Sequence, residues 1–290
     1  VSLRKIKAVN AAKIDIIDNA TAAFLRDVDK ALSRLNAKMA KWTREIEGGE
    51  RVLSNQRNLT RAVNAQAQIE EMLLESGYRD ATTNLMKSYD MVADMSMRGF
   101  KYAGVRDAFS QTNARAIVAL KDLDLSRWER QGQELAGVLH QSIMDSVVSG
   151  SSFDDMATRI ENALLGDGER APAFRSRAET IANTTLMGFD RTISNRQAAV
   201  AGIETFIYLG PDDGITRPFC SAVLSMNGSR EFNIPTVDGD EPIYTKEQIE
   251  GMDNGQGLPV AQFGGGYRCR HQFSPISVEV AAELSQEVAA

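Results

Sequence analysis

Proline is absent from the first 171 residues of this chain, and cysteine and histidine occur only twice each. Without proline, no pyrrolidine ring in that long stretch forces a helix to end or kink. Two cysteines cannot build a disulfide-dense scaffold, so the fold must rest on packing. Such sparse cysteine suits the cytoplasm and also permits a single disulfide formed later, outside a reducing compartment. No run approaches the ~18 uninterrupted apolar residues that a membrane span needs. Excess basic charge is lacking too: the formal net charge is -6 and the pI about 5.2. That balance argues against nonspecific nucleic-acid binding as the main task of the whole molecule, because neutralising phosphate takes concentrated Lys and Arg.

What is present is ordinary for a soluble globular protein: 43% hydrophobic and 25% charged residues over 290 positions, enough for two domains. The first residues, "VSLRKIKAVNAAKIDIIDN", alternate charge with apolar side chains and lack the apolar block of a secretory signal. Starting at Val1, the chain is expected to be trimmed or numbered from a point other than the gene's start. Arg4, Lys5, Lys7 and Lys13 precede the first acid, Asp15. They form a local exception to the acidic balance, open to two readings: a phosphate or acidic-partner contact through Arg4, Lys5 and Lys7, or a solvated basic helix start.

Residues 1–168 read as an extended helical region. Ile14, Ile17, Phe24, Val28, Ala31, Leu35 and Trp42 fall largely at steps of three, four and seven, the mark of an amphipathic helix long enough for coiled-coil-like packing. Further helices are expected over residues 57–77, 80–104, 114–124 and 125–150. Ser152 and Asp155 stand in capping-box spacing before another, which Gly166 and Gly168 should stop. No catalytic pattern emerges here, so this half reads as a scaffold or docking surface. "LLGDGERAPAF" then breaks the periodicity and marks the boundary to a second domain, residues 169–290.

That domain opens with one more long helix, residues 175–202, whose Arg175, Arg177, Arg191 and Arg196 lie largely off its apolar seam. After Gly202 the pattern changes. "IETFIYLGP" is a short strand by its β-branched and aromatic content, "DDGITRPFC" a turn leading to Cys220, and "SREFNIP" a second strand. Thr245 and Gln248 have capping-box spacing for a two-turn helix ending near Asn254-Gly255. Finally "GGGYRCRHQFSPISV" reads as a glycine approach into a strand. Alternation would put Cys269, His271 and Phe273 on one face and Arg268, Arg270 and Gln272 on the other. The fold class is therefore α+β, a long helical region followed by a small mixed domain with short strands.

The ordered series "RAETIANTT", "YLGPDDGITRPFC", "YTKEQIEGMDNGQG" and "GGGYRCRHQFSPI" resembles the C-terminal domain of the phage Mu F-like minor head proteins, the portal-associated head morphogenesis family of tailed bacteriophages. The resemblance covers roughly residues 170–277 and lies in the order and spacing of several short motifs. It implies a non-enzymatic virion protein at the portal vertex inside the capsid, assembled in the host cytoplasm, with no membrane contact during assembly. Implied partners are the portal protein, the major capsid or scaffolding protein, and packaged DNA that some family members contact or accompany during ejection. The commonest family pattern has a Cys-x-x-Cys after the acidic turn and a His-Pro-x-Cys-Arg-Cys near the end. Here Arg217 and Gly266 stand at the first cysteine and the histidine, and His271 replaces the last cysteine.

Within this domain Asp213, Thr216, Arg217, Cys220, Gly265, Gly266, Cys269, Arg270 and His271 form the structural motif. Cys220 and Cys269 are expected to lie close, as a thiol pair or a disulfide closing a loop of some fifty residues. His271 would tie the last strand to a carbonyl or to an acid of the "PDDG" turn, and Arg217 would hold carbonyls or a carboxylate. Gly264, Gly265 and Gly266 would let the backbone pass near the neighbouring turn. No cofactor and no metal are expected on this reading. Two alternatives stay open: a zinc site of Cys220, Cys269 and His271, completed by Asp212 or Asp213, and a metal-assisted or thiol-based enzyme built on the same three residues.

Overall fold

In the computed structural model, the residues described are 3–46, 51–52, 54–105, 111–168 and 172–286. Helix dominates. α1 (Leu3–Thr43) is followed by α2 (Gln56–Val63), α3 (Ala65–Leu73), a π-helical turn at Leu74–Tyr78, α4 (Arg79–Tyr102), α5 (Gln111–Ser149), α6 (Phe153–Leu165) and α7 (Ala173–Ala201). Then come β1 (Thr205–Leu209), α8 (Pro218–Ser225), β2 (Asn227–Ser229), β3 (Ile234–Thr236), β4 (Ile243–Thr245), α9 (Lys246–Gly251), α10 (Val260–Phe263), β5 (Gln272–Pro275) and α11 (Val278–Gln286). The class is α+β, as the residue pattern implied.

Local chemistry sets several ends. The Ser152 hydroxyl caps α6 by accepting from Asp155 N–H at 3.0 Å, and Gly166 ends the helix at φ 87°. Thr245 and Gln248 form a complete capping box on α9. Several boundaries differ from expectation. Residues 114–124 and 125–150 belong to one helix, α5, because nothing at Asp124-Leu125 breaks the hydrogen-bond ladder. Residues 57–77 are divided at Asn64, and Gly77 with φ 111° kinks the chain before α4. "SREFNIP" is no single strand: it ends β2, turns through Asn233 at φ 51°, and begins β3.

The chain forms two compact units. One comprises residues 1–20, 87–121 and 182–290, the other 21–86 and 122–181. This division falls inside α1, α4, α5 and α7, away from the boundary expected at 168/169. Glu169, Arg170 and Ala171 of the expected linker lie outside the described residues. In the second unit Trp128 is fully buried against Phe24, ring centroids 4.6 Å apart, and its carbonyl accepts from the Tyr78 hydroxyl at 2.8 Å.

The first unit holds both sheets. β4, β1 and β5 form an antiparallel sheet with β1 central, pairing Phe206 with Tyr244 and Tyr208 with Phe273; β2 and β3 form a hairpin. Phe206, Tyr208, Tyr244 and Phe273 join Phe219, Cys220, Val223 and Cys269 in one core. On the opposite face Leu209 pairs with Gln272, whose amide donates to Asn10 of α1 at 2.8 Å. Gln272 is therefore buried, contrary to its expected place on a solvent face, because α1 covers that side of the sheet.

Candidate functional site

The motif residues converge between α7, α8, the 264–271 loop and β1. Pro218, at the first position of α8, supplies the fixed φ that opens a helix. That helix, where a turn was expected, aims Cys220 inward. The strand expected over Cys269 and His271 begins only at Gln272, since Arg268 takes a left-handed φ of 59° and bends the loop. The bend turns the Cys269 sulfur back on its own loop, where it accepts N–H from Gly265 at 3.2 Å and from His271 at 3.4 Å.

Cys220 Sγ lies 3.6 Å from Cys269 Sγ, and both cysteines are free. A disulfide bond is ~2.05 Å, so this is a thiol pair. His271 stacks on Tyr208 with ring centroids 5.4 Å apart and 14° between planes. Cys220, Cys269 and His271 are 1%, 4% and 3% exposed, and their ligand atoms all lie within 4.8 Å of one another. The hydrogen bond from Cys220 draws the Cys269 thiol down towards the thiolate, assisted by His271 and Arg191, and the same bond together with burial pushes Cys220 up. Asp212 and Asp213, either of which the zinc alternative needed as a fourth ligand, are not in the cluster.

The acid of the turn is held by Arg270, not His271. Arg270 Nη2 bonds Asp213 Oδ2, and that bond holds the Asp213 carboxyl below the usual range. Thr216 braces the turn, its hydroxyl donating to the Pro211 carbonyl at 3.0 Å and accepting from Asp213 N–H at 2.9 Å. Arg217 donates to the Gly265 carbonyl at 2.8 Å and to the Tyr267 carbonyl. The glycines admit this closeness: a Cβ on Gly265 would sit 2.5 Å from Cys220 Sγ, and one on Gly266 would strike the Gln256 side chain.

Arg191 is the residue that periodicity misplaced. Grouped with the off-seam arginines of α7, it is 2% exposed and donates to the carbonyls of Cys269 at 2.6 Å, His271 at 2.8 Å and Gln262 at 3.2 Å. Helical spacing alone gives no sign of it, because its partners lie 71 to 80 positions downstream.

The basic residues considered for phosphate are largely engaged. Lys7 pairs with Glu241 at 2.8 Å, Lys5 stands 5.5 Å over the Tyr102 ring, and Arg4 is exposed. Lys13 does not belong to a solvated start, being buried on Asp190. Arg175 bonds Asp29 and Arg177 bonds Glu134. An open cleft of about 460 Å³ beside the motif is lined by Lys7, Asp15, Asp18, Tyr208, Glu241 and Arg270 among others. Among the described residues no helix is long and apolar enough to cross a membrane. No family model matches the chain, and neither a curated protein nor a solved structure does.

Proposed function

We propose that the chain is a minor head protein of a tailed bacteriophage, seated with the portal protein at the vertex inside the capsid and acting in head morphogenesis and genome packaging or delivery. The resemblance over residues 170–277 supplies the identity. The observation that supports an architectural role is that the motif residues are consumed by one another: Asp213 by Arg270, Arg217 by two loop carbonyls, and Cys220 by Cys269. A group kept for turnover must meet a substrate, whereas Cys220, Cys269 and His271 are almost wholly shielded from solvent. The compact motif serves as a clamped module, and the long helices supply area for packing on the portal or on other copies. A DNA-contacting role gains less support, since Lys7, Lys13, Arg175 and Arg177 spend their charge on acids of the same chain.

Mass spectrometry and vertex-focused cryo-EM of heads from a phage encoding this chain test the reading. The expected result is a low-copy protein in contact with the portal. Its absence from both immature and mature heads, or full infectivity after its deletion, overturns the assignment.

A further inference from the structure

We propose that Cys220, Cys269 and His271 form a buried structural site for one thiophilic d10 metal ion, with Zn²⁺ as the defining probe. The argument is independent of the phage assignment and starts from spacing. Two sulfurs bound at ~2.3 Å to one tetrahedral ion stand ~3.8 Å apart. Cys220 and Cys269 stand at 3.6 Å, far beyond a covalent bond and close to that ligand-to-ligand edge. The imidazole of His271 completes a set of two sulfurs and one nitrogen, the donor types that select zinc or copper(I) over hard cations.

A second observation points to a missing partner. His271 Nε2 is buried with no hydrogen-bond partner, although the rest of the motif is well satisfied. The Tyr208 hydroxyl, buried as well, has the Cys220 thiol beside it and no nitrogen or oxygen partner. Orphaned polar atoms of this kind are costly in a core, and a metal ion with a bound water or the phenol at its fourth position satisfies both. The cradle is built for close approach. A Cβ on Gly265 would lie 2.5 Å from Cys220 Sγ, one on Gly264 3.1 Å from Cys269 Sγ, and one on Gly210 2.2 Å from His271 Cδ2. Each candidate ligand is thus faced by a glycine. Loading exchanges whatever hydrogen the two sulfurs still carry for the ion and releases it to buffer, so the thiolates neutralise the dication beside the buried Arg191 guanidinium. Burial of all three ligands makes the site structural and leaves no entry for a substrate.

The test uses the full chain, reduced with a phosphine and stripped of metal. Zn²⁺ is titrated against a chromophoric chelator, and Co²⁺ replaces it for spectroscopy. One equivalent should bind, with a sulfur-to-cobalt charge-transfer band and the visible bands of tetrahedral cobalt. Changes in the outer shell alone cost ~10–100-fold in affinity, so Cys220→Ser and His271→Gln should each lose at least about a hundredfold. Should those variants unfold, the wild type decides: its thermal midpoint should rise with Zn²⁺ and fall back with chelator. Absence of the charge-transfer band, binding unchanged in folded variants, or a midpoint unmoved at saturating Zn²⁺ overturns the site.

Discussion

Lys13 of α1 and Asp190 of α7, 177 positions apart, form a buried ion pair in which the ammonium reaches both carboxylate oxygens, at 2.9 and 2.7 Å. Ser96 of α4 donates to the same carboxylate, so three helices meet at one charge. A buried pair gains little over apolar replacements, but a broken one leaves an uncompensated charge. Lys13→Met should therefore destabilise the chain by about 3–5 kcal/mol. The double variant Lys13→Met/Asp190→Leu should recover most of that loss. Urea unfolding in a double-mutant cycle measures the coupling, and additive single effects would contradict it.

Gly265 and Gly188 predict opposite outcomes for the same substitution. A Cβ at Gly265 meets Cys220 Sγ at 2.5 Å, whereas one at Gly188 on α7 meets nothing within 4 Å. Gly265→Ala should cost about 1–3 kcal/mol through overpacking. Gly188→Ala should raise stability by up to about 1 kcal/mol through helix propensity. Thermal unfolding of the two variants side by side checks both signs.

Arg191→Lys should behave as a disruptive change despite keeping the charge. The guanidinium fork serves carbonyls of Gln262, Cys269 and His271 at once, and a single ammonium cannot reproduce that geometry. Leaving buried carbonyls unpaired costs about 1–3 kcal/mol each. The expected loss is thus at least about 2 kcal/mol, with faster amide exchange in the 264–272 loop. Unchanged exchange there would mean the loop holds itself.

These three cases also mark what the sequence discloses. Features written in local spacing were legible: the amphipathic run of α1, the caps at Ser152 and Thr245, and the stop at Gly166. Features written in pairings across the chain were not. Lys13 reads locally as one of several basic residues, and only Asp190 makes it a core residue. Arg191 likewise sits among exposed-looking arginines until the 262–271 carbonyls arrive. β4 is three residues long, too short for any period to register, and exists because Phe206 and Ile207 of β1 offer it a partner. The thiols were foreseen as neighbours, whereas the strand meant to carry Cys269 and His271 was displaced to Gln272 by the left-handed Arg268, which no alternation rule anticipates.

Asp18 supplies a prediction whose sign can be worked out. It lies half-buried in the cleft by Arg270, and burial raises its carboxyl above the ordinary value of 3.8; Arg270 opposes that rise and Asp15 adds to it. A raised acid binds its proton more tightly in the folded chain than in the unfolded one. Its contribution to stability is therefore full below pH 3.8 and is lost as pH rises through the higher folded value. Above that folded value the ionised Asp18 stands as a penalty, softened by its partial exposure. Asp18→Asn keeps the shape and removes the charge, so it should stabilise the chain at pH 7 by less than about 1 kcal/mol. Towards pH 3 the advantage should vanish, because the wild-type carboxyl is then neutral as well. Unfolding curves of both proteins across this range decide the matter. If Asp18→Asn is less stable at neutral pH, attraction to Arg270 outweighs desolvation and the cleft holds its acid by charge.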